Sequence, residues 1–115
     1  MKILFPGGRW GDLTERLESK LPDCQIVHCL PDAILENLTD ALLLIPAMNR
    51  ITAEVMDTGK ELKIIHQAGV GLEGVDIQAA TQRGIMVANV PSAGSGNAES
   101  VAELAILHMM LHTRK

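Results

Sequence analysis

The chain has 115 residues, 47% of them hydrophobic, and a net charge of −4 at pH 7, which suits one compact domain with a buried core. Its acidic residues are spread along the chain and no basic block is present to track a phosphate backbone, so nucleic acid is not an expected partner. No stretch approaches the roughly 20 apolar residues of a membrane span, and Pro6-Gly7-Gly8 cuts the opening apolar run too early for a signal segment, so a cytoplasmic protein without membrane contact is expected.

In chain order, residues 2–5 read as a first strand, followed by a loop at 6–11. The Gly7-Gly8 pair there is not a phosphate loop, because Gly11 is followed by Asp12 instead of Lys and Ser or Thr. Leu13, Leu17 and Leu21 recur at a spacing of four, the mark of a helix with one apolar stripe. Residues 25–28 form the second predicted strand, bracketed by Cys24 and Cys29. Five positions apart on a strand, the two thiols point to opposite faces and are expected to stay reduced. A helical stripe at Ile34, Leu35 and Leu38 precedes a strand at 41–45, a loop at 46–50 and a short helix after Thr52 carrying Val55 and Met56. A strand at 63–67, a glycine-rich loop at 68–74, a helix capped by Asp76 and a strand at 85–88 complete the series. Near-continuous apolar strands alternating with helices predict a parallel sheet covered on both faces. The fold class expected is α/β, a flavodoxin-like doubly wound parallel sheet of about five strands.

Residues 89–97 carry Pro91, Ser92, Gly94, Ser95 and Gly96 and read as a linker, which places a domain boundary there: 1–90 form one domain and 91–115 lie outside it. Beyond the linker, Asn97 as N-cap and Glu99 in the first turn predict a helix over 98–113. Val101, Leu104, Ala105, His108 and Met109 make one apolar face, and Ile106, Leu107, Met110 and Leu111 a second. A helix apolar nearly all round is expected to be covered by something, and a second copy of the chain is the expected cover, giving a homodimer through 98–113. His108 and His112 have the spacing of paired metal ligands, but no Glu follows His108 and no third ligand is evident, so no metal is expected.

Gly69-Val70-Gly71-Leu72-Glu73-Gly74 matches G-x-G-x-x-G after a predicted strand. The acidic residue that would hold a ribose about 20 positions on is replaced by Val87-Ala88-Asn89-Val90, and Asp76 puts negative charge where a pyrophosphate would sit, so no cofactor is expected to bind here. Two uses of the loop remain: backbone N–H groups of Gly69, Val70 and Gly71 presented to a carboxylate-sized anion, or a plain turn that needs glycine for positive φ. In a doubly wound sheet the loops at 6–11, 46–50 and 68–74 gather outside the carboxyl ends of the strands. Arg9 and Arg50 lie in two of them, either as added anion binders or as solvated side chains. Trp10 caps the pocket or covers the core edge; the sequence does not separate these.

The run from Leu62 through Gly69-Val70-Gly71 to Asp76, then Ala79-Ala80-Thr81, Arg83-Gly84-Ile85, Val87-Ala88-Asn89-Val90-Pro91 and Ser100-Val101-Ala102-Glu103, resembles the D-isomer-specific 2-hydroxyacid dehydrogenases. Ile51-Thr52-Ala53-Glu54-Val55 resembles the family's preceding segment, so the likeness covers about 41–115 well and 1–40 by pattern alone. The resemblance implies a two-domain enzyme in which a substrate domain and a Rossmann domain enclose a cleft, NAD or NADP serves as hydride carrier, and the glycine loop holds the carboxylate of a small 2-oxo or 2-hydroxy acid. By the same resemblance, 91–115 are the hinge and first helix of a cofactor domain whose nucleotide motif and catalytic residues lie later, so the chain alone is expected to bind no cofactor and to be inactive. Many members carry an Arg-Ser pair where this sequence has Pro46-Ala47, followed by Met48-Asn49. Arg9, Met48, Asn49 and Arg50 are candidate substrate contacts, and an assignment as a phosphoglycerate dehydrogenase, which rests on that arginine, stays open. The alternative is a stand-alone carboxylate-binding or interaction module without catalysis.

Overall fold

The computed structural model describes residues 1–7 and 11–114. Five strands, β1 (Lys2–Pro6), β2 (Gln25–Cys29), β3 (Leu43–Leu44), β4 (Ile64–Gln67) and β5 (Met86–Asn89), pair in parallel in the order β2-β1-β3-β4-β5. This is the flavodoxin-like doubly wound order, in which the winding reverses between β1 and β3. The strand β3 is shorter than the expected 41–45, yet the same run stays in register: Leu42 N–H donates to Lys2 O at 3.0 Å and Ile45 N–H to Leu4 O at 2.9 Å. Pro46, with no N–H to offer, ends it.

Four helices surround the sheet: α1 (Asp12–Lys20), α2 (Ile34–Leu38) after a 3-10 turn at Pro31–Ala33, α3 (Ala53–Thr58) and α4 (Ile77–Gln82). Alternate strand side chains sort onto two faces. Leu4, Leu44 and Ile65 meet Leu38, Met56 and Ala80 beneath α2, α3 and α4. Ile3, Phe5 and Ile45 meet Leu13, Leu17 and Leu21 from α1 and its end. Cys29 packs with the first cluster and Cys24 with the second, and both are free thiols. The expected stripe on α2 is narrower than its sequence suggests: Ile34 and Leu38 are buried, but Leu35 is 44% exposed. With only five residues, α2 turns one i, i+4 pair to the sheet and no more.

Local capping follows the sequence at two helices. Thr52 Oγ1 accepts from Val55 N–H at 3.4 Å, and Asp76 Oδ1 accepts from Ala79 N–H at 2.9 Å. The last helix, α5 (Asn97–Thr113), begins differently from the expected Asn97 cap. Gly96, in the left-handed region with φ 71°, is the cap, and Asn97 is the first helical residue. The cause is the preceding turn, where Ser95 N–H donates to Ser92 O and Ser95 Oγ accepts the Asn97 N–H at 3.3 Å. Every described residue from 91 onward is exposed, and α5 carries its apolar side chains around its whole circumference. Among the described residues no helix is long and apolar enough to cross a membrane, and no group of His, Cys, Asp and Glu could hold a metal ion.

Candidate functional site

Parallel pairing places the chain after β1, β3 and β4 at one edge of the sheet, and side-chain amides tie these segments together. Asn49 Nδ2 donates to Pro46 O at 2.8 Å and to Pro6 O at 3.5 Å, joining the second loop to the first. Gln67 Nε2, at the end of β4, donates to Ala47 O at 2.8 Å. The Ile51–Val75 bridge adds Ile51 N–H to Gly74 O at 2.8 Å and Asp76 N–H to Ile51 O at 3.0 Å. A β-carbon on Gly74 would lie 3.1 Å from Asn49 O, so glycine permits that close approach of backbones. Arg9 and Trp10, which the sequence placed in the first loop, lie outside the described residues.

The glycine loop is oriented by its carbonyls. Gly69 O accepts from Val90 N–H at 3.1 Å, and Val70 O accepts from Asn89 Nδ2 at 2.6 Å, so both oxygens point to the end of β5. The N–H groups of Gly69, Val70 and Gly71 donate to no acceptor among the described residues. Positive φ does not explain the glycines, because neither Gly69, Gly71 nor Gly74 is left-handed. A β-carbon on Gly69 would enter open space, while one on Gly71 would collide with the carboxylate of Glu73, which lies across it.

A dinucleotide does not fit this loop. The helix α4 has six residues, and its first turn is already capped by the Asp76 carboxylate. With Glu73 also across Gly71, a pyrophosphate would meet two carboxylates where a nucleotide site presents free helix N–H groups.

A cavity of about 360 Å³ opens beside the loop, walled by Gly69, Gly71 and Gly74 on one side and by Ala47, Met48 and Asn49 on the other. Gln67 and Glu73 complete its lining. Of the candidate residues, Gly69, Gly71, Met48 and Asn49 therefore share one cavity, with Val70 in the loop between the two glycines and its side chain 37% exposed. Arg50 stands apart on the far side of the turn. It is exposed, and it lines a concavity of about 420 Å³ with Asp32 and Glu54 and a smaller one with Glu73 and Asp76. His66 is half-buried and does not line the cavity.

Three residues at this site were not singled out in the sequence: Gln67, Glu73 and Asn89. A signal existed for two of them. Gln67 and Asn89 are polar residues ending otherwise apolar parallel strands, at the edge where ligands collect in such sheets. Gln67 Oε1 is buried and has no hydrogen-bond partner among the described residues.

With this geometry in place, the relatives are informative. The family described as D-isomer specific 2-hydroxyacid dehydrogenase, catalytic domain, matches residues 11–113. A D-3-phosphoglycerate dehydrogenase of Archaeoglobus fulgidus is 47% identical over 73 residues, 64% of this chain and 13% of the relative. A hydroxypyruvate reductase of Thermotoga maritima is 38% identical over 88 residues, 76% of this chain and 28% of the relative. The match thus spans less than a third of the length of either relative. Among solved structures, an NAD+-bound 3-phosphoglycerate dehydrogenase of Entamoeba histolytica aligns with a TM-score of 0.83 at 28% identity, over 95% of this chain and 38% of that one. A match along 11–113, on a sheet of the expected strand order with its glycine loop at the carboxyl edge, means that the chain belongs to the D-isomer specific 2-hydroxyacid dehydrogenase family, within its catalytic domain.

Proposed function

We propose that this chain is the substrate-holding part of a nicotinamide-dependent oxidoreductase that acts on the CH–OH group of a D-2-hydroxy acid. The observation that carries this reading is the glycine loop: three adjacent N–H groups without acceptors among the described residues, the carbonyls of Gly69 and Val70 anchored to the end of β5, and open space over Gly69. Such an array suits a carboxylate, which accepts several backbone hydrogen bonds at once. In this reading Gly69, Val70 and Gly71 bind the carboxylate of a small 2-oxo or 2-hydroxy acid, and Met48 and Asn49 form the opposite wall.

Hydride transfer also needs a nicotinamide, an acid–base group and a cation beside the carbonyl. The cavity's described lining holds no arginine, lysine or histidine. The reading therefore gives this chain the work of holding and orienting substrate, residues 1–90 being the substrate domain and 91–115 the hinge and first helix of the cofactor domain. NAD is the carrier favoured by the NAD+-bound relative, held outside the glycine loop. The exposed apolar surface of α5 supports a homodimer through 98–113, and the two free thiols on opposite sheet faces support a cytoplasmic setting.

Titration of the 15N-labelled chain with D-lactate tests the carboxylate site. The amide signals of Gly69, Val70 and Gly71 are expected to move together, weakly, since water competes for the same donors in an open cavity. Gly69→Val, whose side chain would stand over the loop, should abolish the response at unchanged melting temperature, and Val70→Ala should preserve it. Equal responses in wild type and Gly69→Val would refute the assignment. The chain alone should show no NAD-dependent turnover of 2-hydroxy acids, and measurable turnover would overturn its substrate-holding role.

A further inference from the structure

The glycine loop is open at one end and covered at the other. A β-carbon on Gly69 would meet nothing within 4 Å, whereas one on Gly71 would collide with Glu73 Oε2 and lie 3.2 Å from Oε1, so the whole carboxylate rests on Gly71. No described residue holds it there: Glu73 is exposed, forms no ion pair or hydrogen bond among the described residues, and accepts from none of the loop's N–H groups. The approach to the loop is thus taken by the same chemical group that the loop is read to bind, and a second carboxylate arriving there meets like charge.

Arg50 stands where that carboxylate can go. Ile51 N–H donates to Gly74 O at 2.8 Å, and the parallel Ile51–Val75 bridge sets Arg50 beside Gly74, next in the chain to Glu73. With no side chain at Gly74 between them, Arg50 and Glu73 line one concavity of about 210 Å³. Glu73 is the side chain common to this concavity and to the cavity beside the glycine loop. Arg50 is likewise exposed and unpaired among the described residues. The other carboxylate of the smaller concavity, Asp76, is already engaged by Ala79 N–H as the cap of α4. A guanidinium and a carboxylate that line one concavity can form a bidentate pair by side-chain rotation alone.

We infer that Glu73 is a two-position gate on the glycine loop: across Gly71 it keeps anions off the loop N–H groups, and turned to Arg50 it opens the loop to a ligand carboxylate. This rests on the carboxylate reading of the loop and adds its regulation. A site that is competent for only a fraction of the time binds more weakly by that fraction. Ligand affinity is therefore set by how Glu73 divides its time between Gly71 and Arg50. Exposed side chains change rotamer within nanoseconds, so the gate lowers affinity without limiting the rate of binding.

The test is a titration of the 115-residue chain with D-lactate at pH 7 and fixed ionic strength, read at the amides of Gly69, Val70 and Gly71 and at Arg50 Nε. Glu73→Gln, which keeps the length and removes the charge, should bind about fivefold more tightly than wild type. Arg50→Gln should bind about threefold more weakly, because the open position loses its partner. The same change made on top of Glu73→Gln should alter affinity by less than about 1.5-fold. The Arg50 Nε signal should move on saturation of wild type and stay in place in Glu73→Gln. Equal affinities in wild type and Glu73→Gln would refute the gate while the carboxylate site stands. An equal loss from Arg50→Gln in both backgrounds would mean that Arg50 meets the ligand itself, and the two-position mechanism would be wrong. If D-lactate moves the loop amides in neither wild type nor Glu73→Gln, the carboxylate site is wrong and the gate falls with it.

Discussion

Ala47 is the only described non-glycine residue with positive φ, at 53°, and it sits at the junction of two loops with its carbonyl held by Gln67. An L-residue there costs about 1–2 kcal/mol, and a β-branched one costs more because its second γ substituent crowds the backbone. Ala47→Val should therefore lose about 2 kcal/mol or more in urea denaturation. His28 presents the opposite case. Both of its ring nitrogens are buried without a hydrogen-bond partner among the described residues, and the ring lies 5.4 Å from that of Phe5. An unsatisfied buried polar group costs about 1–3 kcal/mol, so His28→Leu should leave stability unchanged or raise it by about 1 kcal/mol. A clear drop in the denaturation midpoint would mean that the ring packing matters more than the orphaned nitrogens. Burial and the nearby Asp32 carboxylate push the Cys29 thiol up, so it stays protonated at neutral pH and fits a core role.

Among the elements, the short helices depend on their ends. The six-residue α4 is too short to stand on propensity, and Asp76 supplies its cap, so Asp76→Ala should cost about 1 kcal/mol. Thr52→Ala should cost less, because its bond to Val55 N–H is long at 3.4 Å. A bidentate ion pair joins α3 to α4: Arg83 Nε and Nη2 donate to the two Asp57 oxygens at 2.7 and 2.8 Å. The hydrogen bond from Arg83 holds the Asp57 carboxyl below its ordinary value, with its charge adding to the effect. A carboxyl lowered in the folded state stabilises above its unfolded pKa, near pH 4, and loses that contribution as pH falls through the folded value. The melting temperature of Asp57→Asn should thus lie below that of wild type at pH 7, with the gap closing below about pH 4. A gap independent of pH would show that the charge is not what matters. The pair is solvent-exposed, so the effect should be small and weaken with salt.

For the whole molecule, the chain divides into a sheet with buried cores on both faces and a 17-residue helix with none. Leu104, Ile106, Leu107, Met110 and Leu111 are each about half exposed on α5. Fully burying a large apolar side chain is worth about 1.5–3 kcal/mol, so covering several of them against a second copy offsets much of the cost of association. Sedimentation at micromolar concentration should show a dimer or larger species, and Leu107→Glu with Leu111→Glu should shift it toward monomer. A wild-type monomer at those concentrations would refute self-association through α5.

The sequence by itself determined what is local. Apolar runs of four to five residues marked the strands, the four-residue leucine spacing marked α1, Thr52 and Asp76 marked helix starts, and the glycine loop with its flanks identified the family. Each of these depends on neighbours within a few positions, where backbone geometry and side-chain type suffice. Only the tertiary structure decided which segments meet. The order β2-β1-β3-β4-β5 brings Pro6, Ala47 and Gln67 together, although Gln67 lies 20 positions from Ala47 and Asn49 lies 43 from Pro6. The cap of α5 at Gly96 and the Glu73 carboxylate across Gly71 are local as well, set within three positions, but by turn hydrogen bonds and a rotamer that residue type alone does not specify. Tertiary contacts turned the carbonyls of Gly69 and Val70 to the end of β5, because a peptide plane's direction depends on what anchors it, and here the anchors are Val90 N–H and the Asn89 side chain, the latter 19 positions from Val70.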